Sequence, residues 1–346
     1  MRPRVAVVLF NLGGPDQPQA IWPFLLNLFN DPAILRVPFF VRPLLARRIA
    51  SARLAPARAS YAILNGRSPL LDLTQDQAVA LEAELSEVEA RCFIAMRYWH
   101  PRSDETVKAV QVWAPDEVVL LPLYPQYSSA TTGSSLTEWR EAAARAGLIA
   151  ATSVVCCYPN DAGYIAATAS LLRQAWQKAR GALDPATPLR ILFSAHGLPQ
   201  PIVDAGDPYQ WQVEQTVAGV AGSFGQQCDW TTCYQSRATP QRWIEPSTEQ
   251  EIERAARDKV AVLIVPIAFV SEHSETLVEL DVDYRGLAER LGVPGYFRMP
   301  TQNSDAAFIA ALADLVRGAR NSGRRQRLCP AACRLCPIPA ALEPAA

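Results

Sequence analysis

Residues 261–284 read AVLIVPIAFVSEHSETLVELDVDY. Residues 261–269 are an apolar run interrupted only by Pro266, and their length and β-branched content predict a strand buried on both faces, as in a parallel sheet. The remainder predicts a helix, with Ser271 at the N-cap and Glu272 in the first turn. His273 and Glu275 stand at the junction of the two. Glu279 follows Glu275 by four positions, so both carboxylates share one helical face. Open α/β sheets place their ligands where strands feed into helices. An imidazole beside two aligned carboxylates suits proton transfer or the holding of a divalent metal. Carboxylate pairs at this spacing also decorate solvated helix faces; His273 in the same turn is what points to chemistry.

The same alternation runs outward through the chain. Apolar segments at 5–10, 92–98, 117–123 and 152–157 predict strands in the first half. Segments at 189–193, 230–235 and 295–298 join 261–269 in the second. Amphipathic patterns at 75–90, 163–180 and 305–320 predict helices, and the linker GALDPATP at 181–188 parts the halves. Strands alternating with helices imply parallel βαβ units. The fold class is therefore α/β, each half a small doubly wound sheet with its loop motifs at strand carboxyl ends. The expected domains are 1–162, 163–304, and a C-terminal helix with a cysteine-containing tail at 305–346.

Composition narrows the function. In 346 residues, 49% are hydrophobic and 19% charged, which supplies large cores and argues against disorder. A net charge of −1 gives no global attraction for nucleic acid. No apolar run approaches the roughly 20 residues of a spanning helix, and residues 5–10 are too short for a secretory core. Eight cysteines without an export signal suggest a reducing, cytoplasmic setting, where thiols hold metals or stay free. The first strand ends in Asn11-Leu12-Gly13-Gly14-Pro15, glycines that permit a tight turn or close approach to a ligand. The G-x-G-x-x-G spacing is absent, which removes the main support for a dinucleotide enzyme.

Two other features carry information. Residues 32–71 contain no acid but hold Arg36, Arg42, Arg47, Arg48, Arg53, Arg58 and Arg67 among Phe39, Phe40, Val41, Leu44 and other apolar residues. Such a stretch suits an anionic amphipath or an anionic membrane surface, and equally a helical pair with basic outer faces. The chain has three histidines, His100, His196 and His273, all close behind predicted strands, a clustering that favours a site.

Several segments then coincide with one family. FNLGGP, RYWHP at 97–101, LYPQYS with TTGSS at 123–135, FSAHGLP at 193–199 and VPIAF with SEHSETLVELDVDY resemble ferrochelatases, in order and over nearly the whole chain. The resemblance implies a chelatase fold of two Rossmann-like domains with a porphyrin cleft between them, and insertion of Fe²⁺ into a porphyrin, protoporphyrin IX by first choice. It implies His196 as proton acceptor or metal-side ligand, Glu275 as its partner, His273 as a helper, and Glu279 and Asp283 as an acidic relay. It implies Leu12 and Trp243 as porphyrin-packing, Arg97, Tyr98 and Tyr124 as lining the opposite wall of the porphyrin site and holding or passing iron, and Arg53 and Ser68 for the propionates. Coproporphyrin III as substrate, a cobalt chelatase, and a non-catalytic haem or porphyrin carrier with a redox-sensing cluster remain the competing readings. A homodimer and peripheral contact with the inner membrane are open expectations.

The tail RLCPAACRLCP at 327–337 puts Cys329, Cys333 and Cys336 within eight positions. Thiolates this close suit either zinc or an iron–sulfur cluster. The resemblance favours a [2Fe–2S] cluster, because some ferrochelatases hold one on C-terminal cysteines plus an internal cysteine. The internal position that would match is Ser129, so a fourth ligand must come from elsewhere. Cys157 is the expected one, with Cys156 the alternative, since adjacent strand residues face opposite ways. Cys228 and Cys233 are weaker candidates, and Cys92 is expected in the core.

Overall fold

The computed structural model describes residues 2–237 and 241–321. The tail cysteines Cys329, Cys333 and Cys336 lie outside the described residues. Two compact units emerge, residues 2–157 with 312–321, and residues 158–311.

The first unit runs β1 (Arg4–Asn11), α1 (Ile21–Phe29), α2 (Arg42–Ile63), α3 (Leu70–Glu84), β2 (Glu89–Met96), α4 (Ser103–Trp113), β3 (Glu117–Pro122), α5 (Ser134–Ala146) and β4 (Ala151–Val154). Its sheet order is β2-β1-β3-β4, with every pair parallel. The second unit runs α6 (Ala162–Ala182), β5 (Leu189–His196), α7 (Gln200–Asp204), α8 (Tyr209–Phe224), β6 (Asp229–Gln235), α9 (Thr248–Asp258), β7 (Ala261–Pro266), a π-helix (Glu275–Tyr284), α10 (Arg285–Arg290) and β8 (Tyr296–Arg298). Its order, β6-β5-β7-β8, repeats the first, again all parallel. The last helix, α11 (Ala306–Asn321), begins in the second unit and ends in the first.

Why the sheets form is visible in the burial. All of β7 is buried, and so is β1 after its first residue. Parallel strands covered by helices on both faces need apolar side chains at every position. Alternate residues then serve opposite cores: Ile191, Phe193, Leu263 and Val265 pack on one face of the second sheet, and Leu192, Val262 and Ile264 on the other.

The structure corrects several boundaries. The strand expected at 261–269 ends at Pro266. The helix expected from Ser271 starts at Glu275 and is wound as a π-helix, a rare form found mostly at functional sites. The helix expected at 75–90 spans Leu70–Glu84, because Glu89 and Ala90 pair with Arg4 and Val5 in the sheet. The strand expected at 152–157 stops at Val154, so Cys156 and Cys157 lie beyond it and both are buried. Alternating strand faces therefore do not distinguish the two cysteines. Gly13 and Gly14 serve internal packing: a Cβ on Gly14 would stand 2.5 Å from Ser68 Cβ, and Gly13 adopts a φ of +85° against the Trp99 backbone. Among the described residues, no helix is long and apolar enough to cross a membrane.

Candidate active site

The carboxyl edge of the second sheet gathers the chemistry. His196 is the last residue of β5, beside Gln235, the last of β6. Its Nδ1 lies 2.5 Å from the Gly197 carbonyl, leaving Nε2 to face Glu275 Oε1 at 3.5 Å. The second carboxylate oxygen, Oε2, meets His273 Nε2 at 3.4 Å. His273 Nδ1 is in turn 3.1 Å from the Ser271 carbonyl, and Phe269 packs on its ring at 4.6 Å between centroids. Both imidazoles thus have Nδ1 fixed to a backbone acceptor and Nε2 on one carboxylate, which sets their orientation.

Exposure separates the two. The His196 side chain is 37% exposed and that of Glu275 27%, whereas His273 is only 8% exposed as a residue. A substrate can reach His196 and Glu275; His273 stands behind the carboxylate. Burial disfavours the His196 cation, but the Glu275 charge and hydrogen bond outweigh it and raise the pKa to about 9. The same pairing, against burial, holds the Glu275 carboxyl well below the usual range.

Glu279 sits one turn further along the π-helix. Its Oε2 accepts from Ser236 Oγ and, at 3.0 Å, from Gln235 Nε2. Its Oε1 accepts from the Tyr284 hydroxyl at 3.0 Å. Burial raises its pKa, and the charge on Glu275 adds to the rise. Ser236 has a φ of +66°, a left-handed conformation that costs about 1–2 kcal/mol in a non-glycine residue. That backbone turn is what delivers its hydroxyl to Glu279. Asp283 is exposed and shows no hydrogen bond to Glu279; Tyr284 is the neighbour that makes one.

Trp243 closes one side. A Cβ on Gly197 would meet Gln235 O at 2.7 Å and Trp243 Cε3 at 3.1 Å, so only glycine lets the indole lie against the segment behind His196. Behind the π-helix, Arg298 on β8 binds Asp281 through Nε at 2.8 Å and Nη2 at 2.6 Å, and Glu272 through Nη1 at 2.9 Å. The guanidinium fork thereby ties the helix to the loop that carries His273.

The other expected site residues belong to the first unit. Arg97 bridges Asp31 at 2.8 Å and Glu138 at 3.1 Å and donates to Ser134 Oγ at 2.6 Å. This cluster lines an open cleft of about 730 Å³ together with Arg102, Tyr127 and Arg145. Tyr98 is 0% exposed, and its hydroxyl donates to Asp31 at 2.8 Å. Its hydroxyl holds Asp31 in place beside Arg97. Tyr124 is half-buried against the core, with its hydroxyl buried. Ser68 is buried, its Oγ 3.3 Å from the Leu70 amide. Leu12 packs beside the cluster of Phe24 and Tyr61, and Arg53 is half-buried on α2. Asp31, Glu138, Gln235, Ser236 and Tyr284 were not among the expected site residues. Ser236 alone carried a signal, its place directly after a predicted strand.

Among the described residues, no group of three His, Cys, Asp or Glu side chains is arranged to hold a metal ion. The Cys233 thiol is pushed up to about 12 by burial, and burial also raises the Cys92 and Cys228 thiols.

The two parallel four-stranded sheets match the chelatase fold. SirB from Bacillus subtilis, solved with Fe3+, has this fold: TM-score 0.54 at 12% identity, covering 92% of this chain and 97% of that one. The ferrochelatase family profile matches residues 4–320. Ferrochelatases of Caulobacter vibrioides (53% identical, 92% of this chain and 90% of the relative) and Phenylobacterium zucineum (52%, 95% and 96%) are similar along their length. The chain belongs to the ferrochelatase family, porphyrin metal chelatases of the lyase class that serve haem biosynthesis.

Proposed function

We propose that this enzyme inserts ferrous iron into protoporphyrin IX to give protohaem, with His196 and Glu275 at the reacting centre. The observation that carries the assignment is a reachable imidazole paired with a reachable carboxylate at a sheet edge, both held from behind. Metallation removes two pyrrole protons and strips water from iron, and imidazole and carboxylate suit both tasks. As the dication approaches, His196 yields its Nε2 proton to Glu275, which passes it to Glu279; the freed Nε2 then takes a pyrrole proton or meets the iron. His273 acts as a support for Glu275. The approaching dication weakens the field that keeps the His196 proton in place. A stiff wall at Gly197 and Trp243 bends the macrocycle with energy drawn from binding elsewhere. Arg97 and Leu12 contribute porphyrin contacts, and Arg53 and Ser68 are assigned to the propionates. The experiment is anaerobic incubation with Fe²⁺ and each porphyrin, following loss of porphyrin fluorescence. Faster turnover of protoporphyrin IX supports the assignment; faster turnover of coproporphyrin III replaces it.

The enzyme is placed in the cytoplasm with a peripheral hold on the inner membrane. Phe39, Phe40 and Leu44 are 71–78% exposed on the segment entering α2, beside the exposed Arg36, Arg47 and Arg48. Aromatic and basic residues together suit an anionic lipid surface. Sedimentation with vesicles containing anionic lipid, lost in Phe39→Ser/Phe40→Ser, tests this; unchanged sedimentation removes it.

A [2Fe–2S] cluster held by Cys329, Cys333, Cys336 and Cys157 or Cys156 completes the assignment. Three closely spaced tail thiols and one internal thiol suit such a cluster. Loss of visible absorption in Cys336→Ser supports it, and a colourless zinc-containing protein overturns it.

A further inference from the structure

The Tyr284 hydroxyl stands between two carboxyl groups. It lies 3.0 Å from Glu279 Oε1 and 3.1 Å from Glu249 Oε1. A phenol has one hydrogen, and an ionised carboxylate has none to give. Both contacts are hydrogen bonds only when a second proton resides on one of the two carboxyls. With that proton present, the three groups form a unit that can shift it.

The ends of this unit differ. Glu279 is the inner end, on the π-helix one turn from Glu275, and its other oxygen takes donors from Ser236 and Gln235. Glu249 is the outer end, half-exposed in the first turn of α9. Its Oε2 is buried and has no hydrogen-bond partner among the described residues. With no donor on Oε2, no competing hydrogen bond opposes protonation at Oε1, the oxygen that faces the phenol. Asp283, the next acid in the four-residue spacing, makes no hydrogen bond to Glu279.

We propose that Tyr284 and Glu249 form the outlet through which protons taken from the porphyrin leave the site. The proposal rests on the reading of His196 and Glu275 as the groups that receive those protons. Glu279 acquires a proton from Glu275 across the turn, by carboxyl rotation or a bridging water. It passes that proton to the Tyr284 oxygen as the phenol hydrogen moves to Glu249 Oε1. The O–H bond of Glu279 and that of the phenol break, and those of the phenol and Glu249 form anew. Nothing is oxidised or reduced. Glu249 then releases its proton to water, and Tyr284 ends as it began. Tyr284 and Glu249 touch neither porphyrin nor iron; they act through Glu279.

Tyr284→Phe keeps the ring and removes the oxygen, and Glu249→Gln keeps the shape and removes the acid. Each variant and the double variant is assayed for insertion of Fe²⁺ into protoporphyrin IX in H₂O and D₂O, with folding checked by thermal melting. The expected result is a kcat about tenfold lower in each single variant, with no further fall in the double variant. The KM for porphyrin stays within about twofold, and the solvent isotope effect on kcat rises. Wild-type kcat in both variants, or an unchanged isotope effect, overturns the outlet. If Tyr284→Phe does not fold, Glu249→Gln decides alone: wild-type kcat there overturns the proposal. His196→Ala separates the two readings. An inactive His196→Ala beside fully active outlet variants rejects the outlet only; an active His196→Ala rejects the site on which it depends.

Discussion

His196 Nε2 lies 3.5 Å from Glu275 Oε1, and that one pairing joins the end of β5 to the start of the π-helix. The contact links two segments almost eighty residues apart in the chain. It explains why one histidine holds its proton more tightly and one glutamate less.

The pairing predicts a titration. His196 should change charge near pH 9, against about 6.5 for an ordinary imidazole. In Glu275→Gln the largest raising charge is gone while burial remains, so the midpoint should fall, with the Gly197 carbonyl and Glu279 still holding part of the rise. Histidine resonances followed by NMR across pH 5–10, an interval of about five units around these values, check it. Because the folded-state pKa is raised, the linked stability is fully present below about 6.5 and is lost as pH rises through about 9. A midpoint that does not move in Glu275→Gln contradicts the pairing.

Arg298 makes the opposite pH prediction. Burial works against the Glu272 charge, but Arg298 and its hydrogen bonds prevail and lower the pKa. A lowered carboxylate contributes stability above about pH 4.3, lost as pH falls through the folded value. Glu272→Gln should cost about 3 kcal/mol near neutrality, because it leaves part of a buried guanidinium uncompensated. It should also flatten the acid limb in urea melts. An unchanged acid limb contradicts the assignment.

Gly197→Ala should lower activity with only moderate destabilisation. The new Cβ meets a backbone oxygen at 2.7 Å and the Trp243 ring at 3.1 Å. Overpacking of this kind costs about 1–3 kcal/mol, and the strain falls directly behind His196. Thermal melting with porphyrin binding separates lost fold from lost site.

Both halves of the fold were legible because parallel strands buried on two faces leave continuous apolar runs, as in β1 and β7. His196 and Glu275, candidates because strand-end motifs survive as short local words, are brought within 3.5 Å of each other. The rest depends on contacts that leave no local mark. Tyr284 is an ordinary apolar helix position in sequence, and only a π-winding brings its hydroxyl to Glu279. Asp31 reads as a loop acid, and it becomes a partner of Arg97, Tyr98 and Ser134 across long separations. Tyr98 stands inside a recognisable motif, and nothing local in that motif announces its burial or its bond to Asp31. The ends of strands and helices shifted where pairing in the sheet overrode local propensity, as at Glu89.

The most direct measurement is anaerobic Fe²⁺ insertion by His196→Ala, run beside fluorescence titration of porphyrin binding. The account predicts that insertion is lost while the porphyrin still binds with near wild-type affinity. Near-normal insertion by the variant would contradict it.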